Sequence, residues 1–401
     1  MVFGHAQDEG GRMRGSSSQF RIGIELIDDP AWMGGMLYLR NLAIGLSQLP
    51  ESERPAVRLL GAAHVIERFL DGYEDRAIFE ADAAGLVSRI RRRLGWAQKS
   101  AGSVDVVYPG FGSEVPGAVT VRWIPDFQHR YLPHLFSAEE IAARDRSIGE
   151  IAAKPGVVVL SSEVAAADFR KFYPGHTAVA RVWRFHSRLD TRQPASRATV
   201  DRFELPEKYL YLPNQFWAHK NHITVLRALA RLKRDRNLTI PLVCTGAQSD
   251  RRNEAHFMEL AEFIKDAGLS GQVHLLGLIE REEQTEVFRH AASVVQPSLF
   301  EGWSTVVEDV RAVGRPIFLS DLAVHREQAP SRCFYFDPQS DEELAGLLAE
   351  RWEQLPPGPD AEMERKARAE VQRLLLNSAR EFCDIARQAW KMGRADVDPL
   401  C

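Results

Sequence analysis

Short apolar runs alternate with amphipathic stretches along nearly the whole chain. In the first half RIGIELI (21–27), AVRLL (56–60), VDVVY (104–108), VTVRWI (119–124), GVVVLSS (156–162) and TAVARVW (177–183) read as strands. Helical patterns lie between them at 36–48, 87–98, 138–153 and 164–172. The second half repeats the theme, with strands KYLYLP (208–213), IPLVCTG (240–246), QVHLLG (272–277), ASVVQP (292–297), PIFLS (316–320) and CFYF (333–336). Its helical patterns fall at 219–234, 253–267, 280–291, 305–312 and 341–354. Continuous Val/Ile/Leu strands separated by helices predict parallel sheets covered on both faces. The fold class is therefore α/β, with two Rossmann-like doubly wound domains facing a central cleft at their strand carboxyl ends.

Segment 187–207 has little periodicity and holds two prolines, so it reads as the linker between an N-terminal domain (20–186) and a C-terminal domain (208–361). A charged helical stretch, 362–392 within a terminal segment 362–401, is placed to return across the cleft and brace the first domain. Residues 1–19 are rich in Gly, Ser and charge and read as a disordered tail without the apolar core of a signal peptide. No stretch reaches the roughly 18 apolar residues that span a bilayer.

Composition narrows the classes further. The 401 residues are 45% hydrophobic and 26% charged, with a formal net charge of −4, so no overall charge draws the chain to nucleic acid. Cys244, Cys333, Cys383 and Cys401 are scattered and form neither a C-x-x-C pair nor a disulfide framework, which fits a reducing cytoplasm. An exception to this blandness is SRIRRRLGWAQK (88–99), a basic amphipathic stretch suited to anionic lipid headgroups. The same pattern is also that of an ordinary solvated helix face.

Four segments could carry chemistry. In PSLFEGWSTVVEDVRAVGRPIFLSD (297–321) a strand ends at Pro297, a loop carries Glu301, Gly302 and Trp303, and a helix starts at Ser304 and Thr305. Gly302 permits close backbone approach, and free amides at a helix start suit a phosphate. Glu301 can bind hydroxyls. Around this helix, at about 100° per residue, Val306, Val310 and Val313 define the buried face. Asp309 falls beside that face, whereas Glu308 falls opposite, near Arg311, and is expected to meet solvent. In LPNQFWAHKNHITVLRALARL (212–232) Lys220 lies near a helix start, where an ammonium could meet a diphosphate. In DDPAWMGGMLYLRNLAIGL (28–46) Gly34 and Gly35 open a helix after the first strand. In RWIPDFQHRYLPHLFS (122–137) Asp126 and His129 are expected as exposed polar groups at the cleft edge. Each has a bland alternative: a capped helix, a solvated lysine, a flexible turn and a structural histidine.

Taken together, residues 297–328 resemble the signature of family-4 retaining glycosyltransferases, enzymes of the two-domain GT-B fold. Glu301 stands as the first acid of their pair, and Asp309 stands where the second glutamate belongs, with Glu308 an offset competitor. The resemblance implies that Lys220 binds the donor diphosphate, that Gln215 replaces the usual arginine, and that the Gly34-Gly35 loop lies over donor phosphates and acceptor entrance. It implies a His-Asp pair at 125–126, of which only Asp126 is present, with His129 as a partial replacement. The function implied is transfer of a hexose from a nucleotide sugar to a saccharide, lipid-linked, without metal or other cofactor. Similarity to O-antigen and surface-polysaccharide enzymes points to a GDP-linked, mannose-like donor and to a cytoplasmic protein at the inner membrane face. A nucleotide-sugar epimerase or sugar phosphorylase, and a non-catalytic carbohydrate-binding scaffold, are the alternatives. The sole Asp-x-Asp, Asp396-Val-Asp398, lies at the extreme end of the sequence, a poor place for a sugar-nucleotide metal site.

Overall fold

The computed structural model describes residues 19–29, 32–71, 79–83, 104–111 and 115–395. The basic stretch 88–99, the helical pattern at 87–98, the Asp396–Asp398 pair and nearly all of the tail lie outside these residues.

The N-terminal half holds β1 (Arg21–Glu25), β2 (Ala56–Gly61), β3 (Phe79–Ala83), β4 (Val106–Tyr108), β5 (Val119–Thr120), β6 (Arg122–Ile124), β7 (Val157–Leu160) and β8 (Val179–Val182). Their spatial order is β3-β2-β1-β4-β5 and β6-β7-β8, all parallel. Val121 and Trp123 donate to the carbonyls of Val107 and Pro109, so β5 and β6 carry one layer onward as a single run. Strand β3, FEADA, alternates acid with small residues and has no apolar run by which sequence alone could reveal it. The helix Ala63–Leu70 is likewise an addition to the sequence reading.

The C-terminal half is a six-stranded parallel sheet of β9 (Leu210–Leu212), β10 (Leu242–Cys244), β11 (Val273–Leu275), β12 (Ser293–Gln296), β13 (Ile317–Ser320) and β14 (Cys333–Phe336). Its order is β11-β10-β9-β12-β13-β14. The order reverses between β9 and β12, which opens a crevice beyond the carboxyl ends of those two strands. β9, β10, β12 and β13 are buried throughout, as helices on both faces require.

The segment between the sheets is not featureless. It contains a short helix, Ala198–Arg202, and Leu189, Val200 and Leu205 join the C-terminal core. The last helix, Ala361–Ala395, touches both halves. Val371 and Leu375 pack in the C-terminal core, while Phe382, Ala386 and Ala389 pack in the N-terminal one. Trp183 Nε1 donates to Ser378 O at 2.8 Å, and the Phe382 ring sits edge-on to Tyr108 at 4.8 Å. A single 35-residue rod thereby holds the two sheets in register. Among the described residues no helix is long and apolar enough to cross a membrane.

Candidate active site in the cleft

The loops after β9 and β12 meet in the crevice. The β9 loop makes a short 3-10 turn, Ala218–Lys220, and is stopped by Asn221 in the left-handed region (φ 57). The amide of Leu299 donates to His219 O at 2.8 Å, and Asn221 Nδ2 donates to Pro297 O at 3.0 Å. These bonds lock the two loops together and place Lys220 opposite Glu301.

Lys220 Nζ donates to Glu301 Oε1 at 2.6 Å. Ser298 Oγ and Gln296 Nε2 donate to the same oxygen, at 2.7 and 2.8 Å. Oε2 accepts no hydrogen bond from the described residues, and Lys220 has no second partner among them. An ammonium has three donors, so both members keep capacity for a ligand. Burial alone would raise the carboxyl pKa of Glu301. The charge of Lys220, aided by His219 and His325, outweighs it and holds the group at about 2. His219 beside it is held at about 3, chiefly by burial and then by Lys220, so it is neutral at pH 7.

Gly302 sits where the two halves touch. A Cβ there would lie 2.3 Å from Pro125 O and 2.9 Å from Asp126 Cβ, so only glycine fits. The structure thus brings Asp126 to the Glu301–Gly302 loop, where its Oδ1 accepts the amide of Gln128. Trp303 Nε1 reaches Phe185 O at 3.0 Å. The helix-start amides are not all free: Ser304 N donates to Gln328 Oε1 at 3.1 Å, whereas Thr305 N has no partner among the described residues. Gly34 and Gly35 lie in the first turn of the helix Met33–Ser47. Among the described residues nothing lies within 4 Å of a Cβ placed on Gly34, and Gly35 lets that turn pack on Trp32.

Two expectations are corrected. His129 is not exposed: it is 1% accessible and its Nε2 pairs with Asp145 Oδ1 at 2.9 Å, inside the N-terminal half. Its neighbour in the cleft is instead Gln128. Glu308 is not solvated either. It is wholly buried, taking hydrogen bonds from His186 Nδ1 (2.7 Å) and Gln328 Nε2 (3.0 Å). Burial opposes its ionisation, but His186 and then Arg311 hold its pKa below the ordinary value. Asp309 is bound bidentately by Arg281, at 2.6 and 2.8 Å.

Gln215 is half-buried beside the turn, with no positive charge of its own. Several further cleft residues were not among those the sequence singled out. Arg252 extends from the loop after β10 to His219 Nδ1 (3.3 Å) and across the cleft to Gln128 Oε1 (3.1 Å). Glu327 accepts the amides of Glu163 and Val164 (2.9 and 3.2 Å) and the guanidinium of Arg184 (2.6 Å), clasping one half to the other. Gln296 carries a recoverable signal, a polar residue closing the buried run SVVQ. Among the described residues, no cluster of three or more His, Cys, Asp or Glu could hold a metal ion.

Residues 197–369 match the family of glycosyl transferases group 1. No curated protein matches in sequence. The fold matches Anabaena HepE, solved with UDP, at 15% identity and a TM-score of 0.64, covering 92% of this chain and 100% of that one. Sucrose-phosphate synthase from Thermosynechococcus elongatus matches at 14% identity and 0.62, covering 95% and 100%. WaaG, a glycosyltransferase involved in lipopolysaccharide biosynthesis, matches at 14% and 0.53, covering 94% and 99%. At these identities the likeness establishes the shared architecture: two Rossmann-like domains of the GT-B type.

Proposed function

We propose that this chain is a group 1 glycosyltransferase that moves a hexose from a nucleoside-diphosphate donor to a saccharide with retention of anomeric configuration. One observation carries the reading: the Lys220–Glu301 pair lies in the crevice between β9 and β12 with Glu301 Oε2 and further Lys220 donors open to a ligand. A carboxylate that stays ionised binds sugar hydroxyls. The ammonium beside it stabilises a departing diphosphate.

In this reading Lys220, the Thr305 amide and the turn at Gly34-Gly35 take up the phosphate charge. Arg252, beside His219, supplies the second positive charge that Gln215 lacks. Asp309, oriented by Arg281, accepts the ribose hydroxyls. As the bond from the anomeric carbon to the diphosphate oxygen breaks, an acceptor hydroxyl bonds to that carbon from the same face. Its proton passes to the departing phosphate. Fixed protein charges serve where other transferases use a metal. The donor proposed is a GDP-linked mannose-like sugar, from the sequence resemblance; HepE, solved with UDP-glucose, makes UDP-glucose the direct competitor. The acceptor proposed is a lipid-linked saccharide of surface-polysaccharide synthesis, with residues 88–99 resting on an anionic inner membrane face.

Calorimetric titration with GDP and UDP tests the donor site. One of the two should bind wild type and bind Lys220→Ala at least about tenfold more weakly, the size of a lost charge-assisted bond. Equal affinity in both proteins would sink the assignment.

A further inference from the structure

The N-terminal sheet has its own reversal of strand order, between β1 and β4. A cavity of about 580 Å³ opens beside the loops that follow those two strands. Such reversals are where open α/β sheets take ligands, and the volume suits a small molecule. Its wall is aromatic. The Trp32 and Trp123 rings stack with centroids 5.6 Å apart and planes 5° from parallel. Phe111 leans on both, at 6.0 and 6.1 Å, and is 47% exposed. The indole N–H of Trp123 is taken by Ser161 Oγ at 3.0 Å, whereas Trp32 Nε1 has no partner among the described residues. Flat rings of this kind cover the C–H face of a pyranose while leaving its hydroxyls wet.

The polar lining is unbalanced. Arg122, Arg144 and Lys154 face two carboxylates, Asp126 and Glu150. The side chains of Arg122 and Lys154 enter no hydrogen bond or ion pair among the described residues, and Arg144 lies over the Phe136 ring at 4.9 Å. Asp126 already accepts an amide and abuts the Gly302 position, so the cavity borders the Lys220–Glu301 crevice. We propose that this cavity binds a saccharide bearing an anionic group, phosphate or carboxylate. Resting on the transferase reading, that saccharide is the acceptor. Arg122 and Lys154 select its charge, and Trp32 supplies the platform.

The test titrates the purified chain, without donor, by ligand-observed NMR with glucose, glucuronate, glucose 6-phosphate and inorganic phosphate. Both anionic sugars should bind roughly tenfold tighter than glucose, as a charge-assisted hydrogen bond supplies, and tighter than phosphate alone. Arg122→Gln with Lys154→Gln should erase that preference, and Trp32→Ala should weaken all three sugars. Equal affinity for glucose and the anionic sugars, a preference surviving in the double variant, or no binding at all would overturn the proposal. GDP and UDP are titrated in parallel. Nucleotide binding that persists while sugar discrimination fails removes the cavity assignment alone. Sugar discrimination without nucleotide binding in wild type removes the transferase reading alone.

Discussion

Lys220 Nζ and Glu301 Oε1 lie 2.6 Å apart although 81 residues separate them in sequence. Both side chains are largely buried, at 15% and 9% accessibility. Removing one partner of a buried pair strands the other charge and typically costs about 3–5 kcal/mol. Lys220→Ala should therefore unfold at a lower temperature and lose about 10²–10³ in turnover. Lys220→Ala combined with Glu301→Gln should regain most of the stability and none of the activity. Thermal denaturation and single-turnover rates on the three proteins separate the roles; a double variant with wild-type turnover would contradict the site.

The depressed pKa of Glu301 has a pH consequence. Its ionised form stabilises the fold fully above the ordinary value of 4.5, and that contribution fades as pH falls towards about 2. The stability advantage of wild type over Glu301→Gln should be roughly 3 kcal/mol at neutral pH and shrink steadily below pH 4.5. Denaturant unfolding at several pH values reads this directly. An advantage independent of pH across that window would mean Glu301 is not held ionised.

Glu308 and Asp309 are adjacent and should behave differently. Glu308 ties the helix Thr305–Val313 to His186 and Gln328, so Glu308→Ala should cost about 3–5 kcal/mol of stability. Asp309→Asn loosens Arg281 and should weaken nucleoside-diphosphate binding by about 10–100-fold. Calorimetry and melting curves on both variants distinguish them. Loss of nucleotide affinity in the folded Glu308 variant, with none in the Asp309 variant, would reverse the assignment.

The Glu327 clasp should govern how closely the halves approach. Glu327→Ala frees two helix-start amides and Arg184, and Gly302→Ala forces a Cβ against Pro125 O. Both variants should show a larger radius of gyration by small-angle scattering, with the C-terminal core intact. Unchanged scattering would show that the long helix alone fixes the cleft.

Reversing Arg91, Arg92 and Arg93 to Glu should abolish sedimentation with anionic vesicles while leaving activity on a soluble acceptor. Equal vesicle binding would assign this stretch to a solvated face.

Most strands were legible because a parallel sheet buried on both faces writes itself as uninterrupted Val, Ile and Leu. Strand β3 was not, since FEADA has no such run. The orientation of Glu308 failed for a related reason. A helical wheel assumes one buried face, but the helix Thr305–Val313 is enclosed on nearly every side, with Glu308 itself buried. His129 was misplaced because its partner, Asp145, lies on the next helix and nothing local announces it. The positions of Lys220, Glu301 and Gly302 were legible, because each lies in a loop between a strand end and a helix start. Arg252 was hidden in a polar loop whose path across the cleft only the fold determines.

Mass spectrometry of the wild-type chain with a panel of nucleotide sugars, with and without saccharide acceptors, reads hexose transfer itself. A hexosylated acceptor and one equivalent of nucleoside diphosphate should form only when both substrates are present, with the donor's anomeric configuration kept in the product. Isomerised donor or free sugar phosphate appearing without an acceptor, or a bound donor that never turns over, would contradict it.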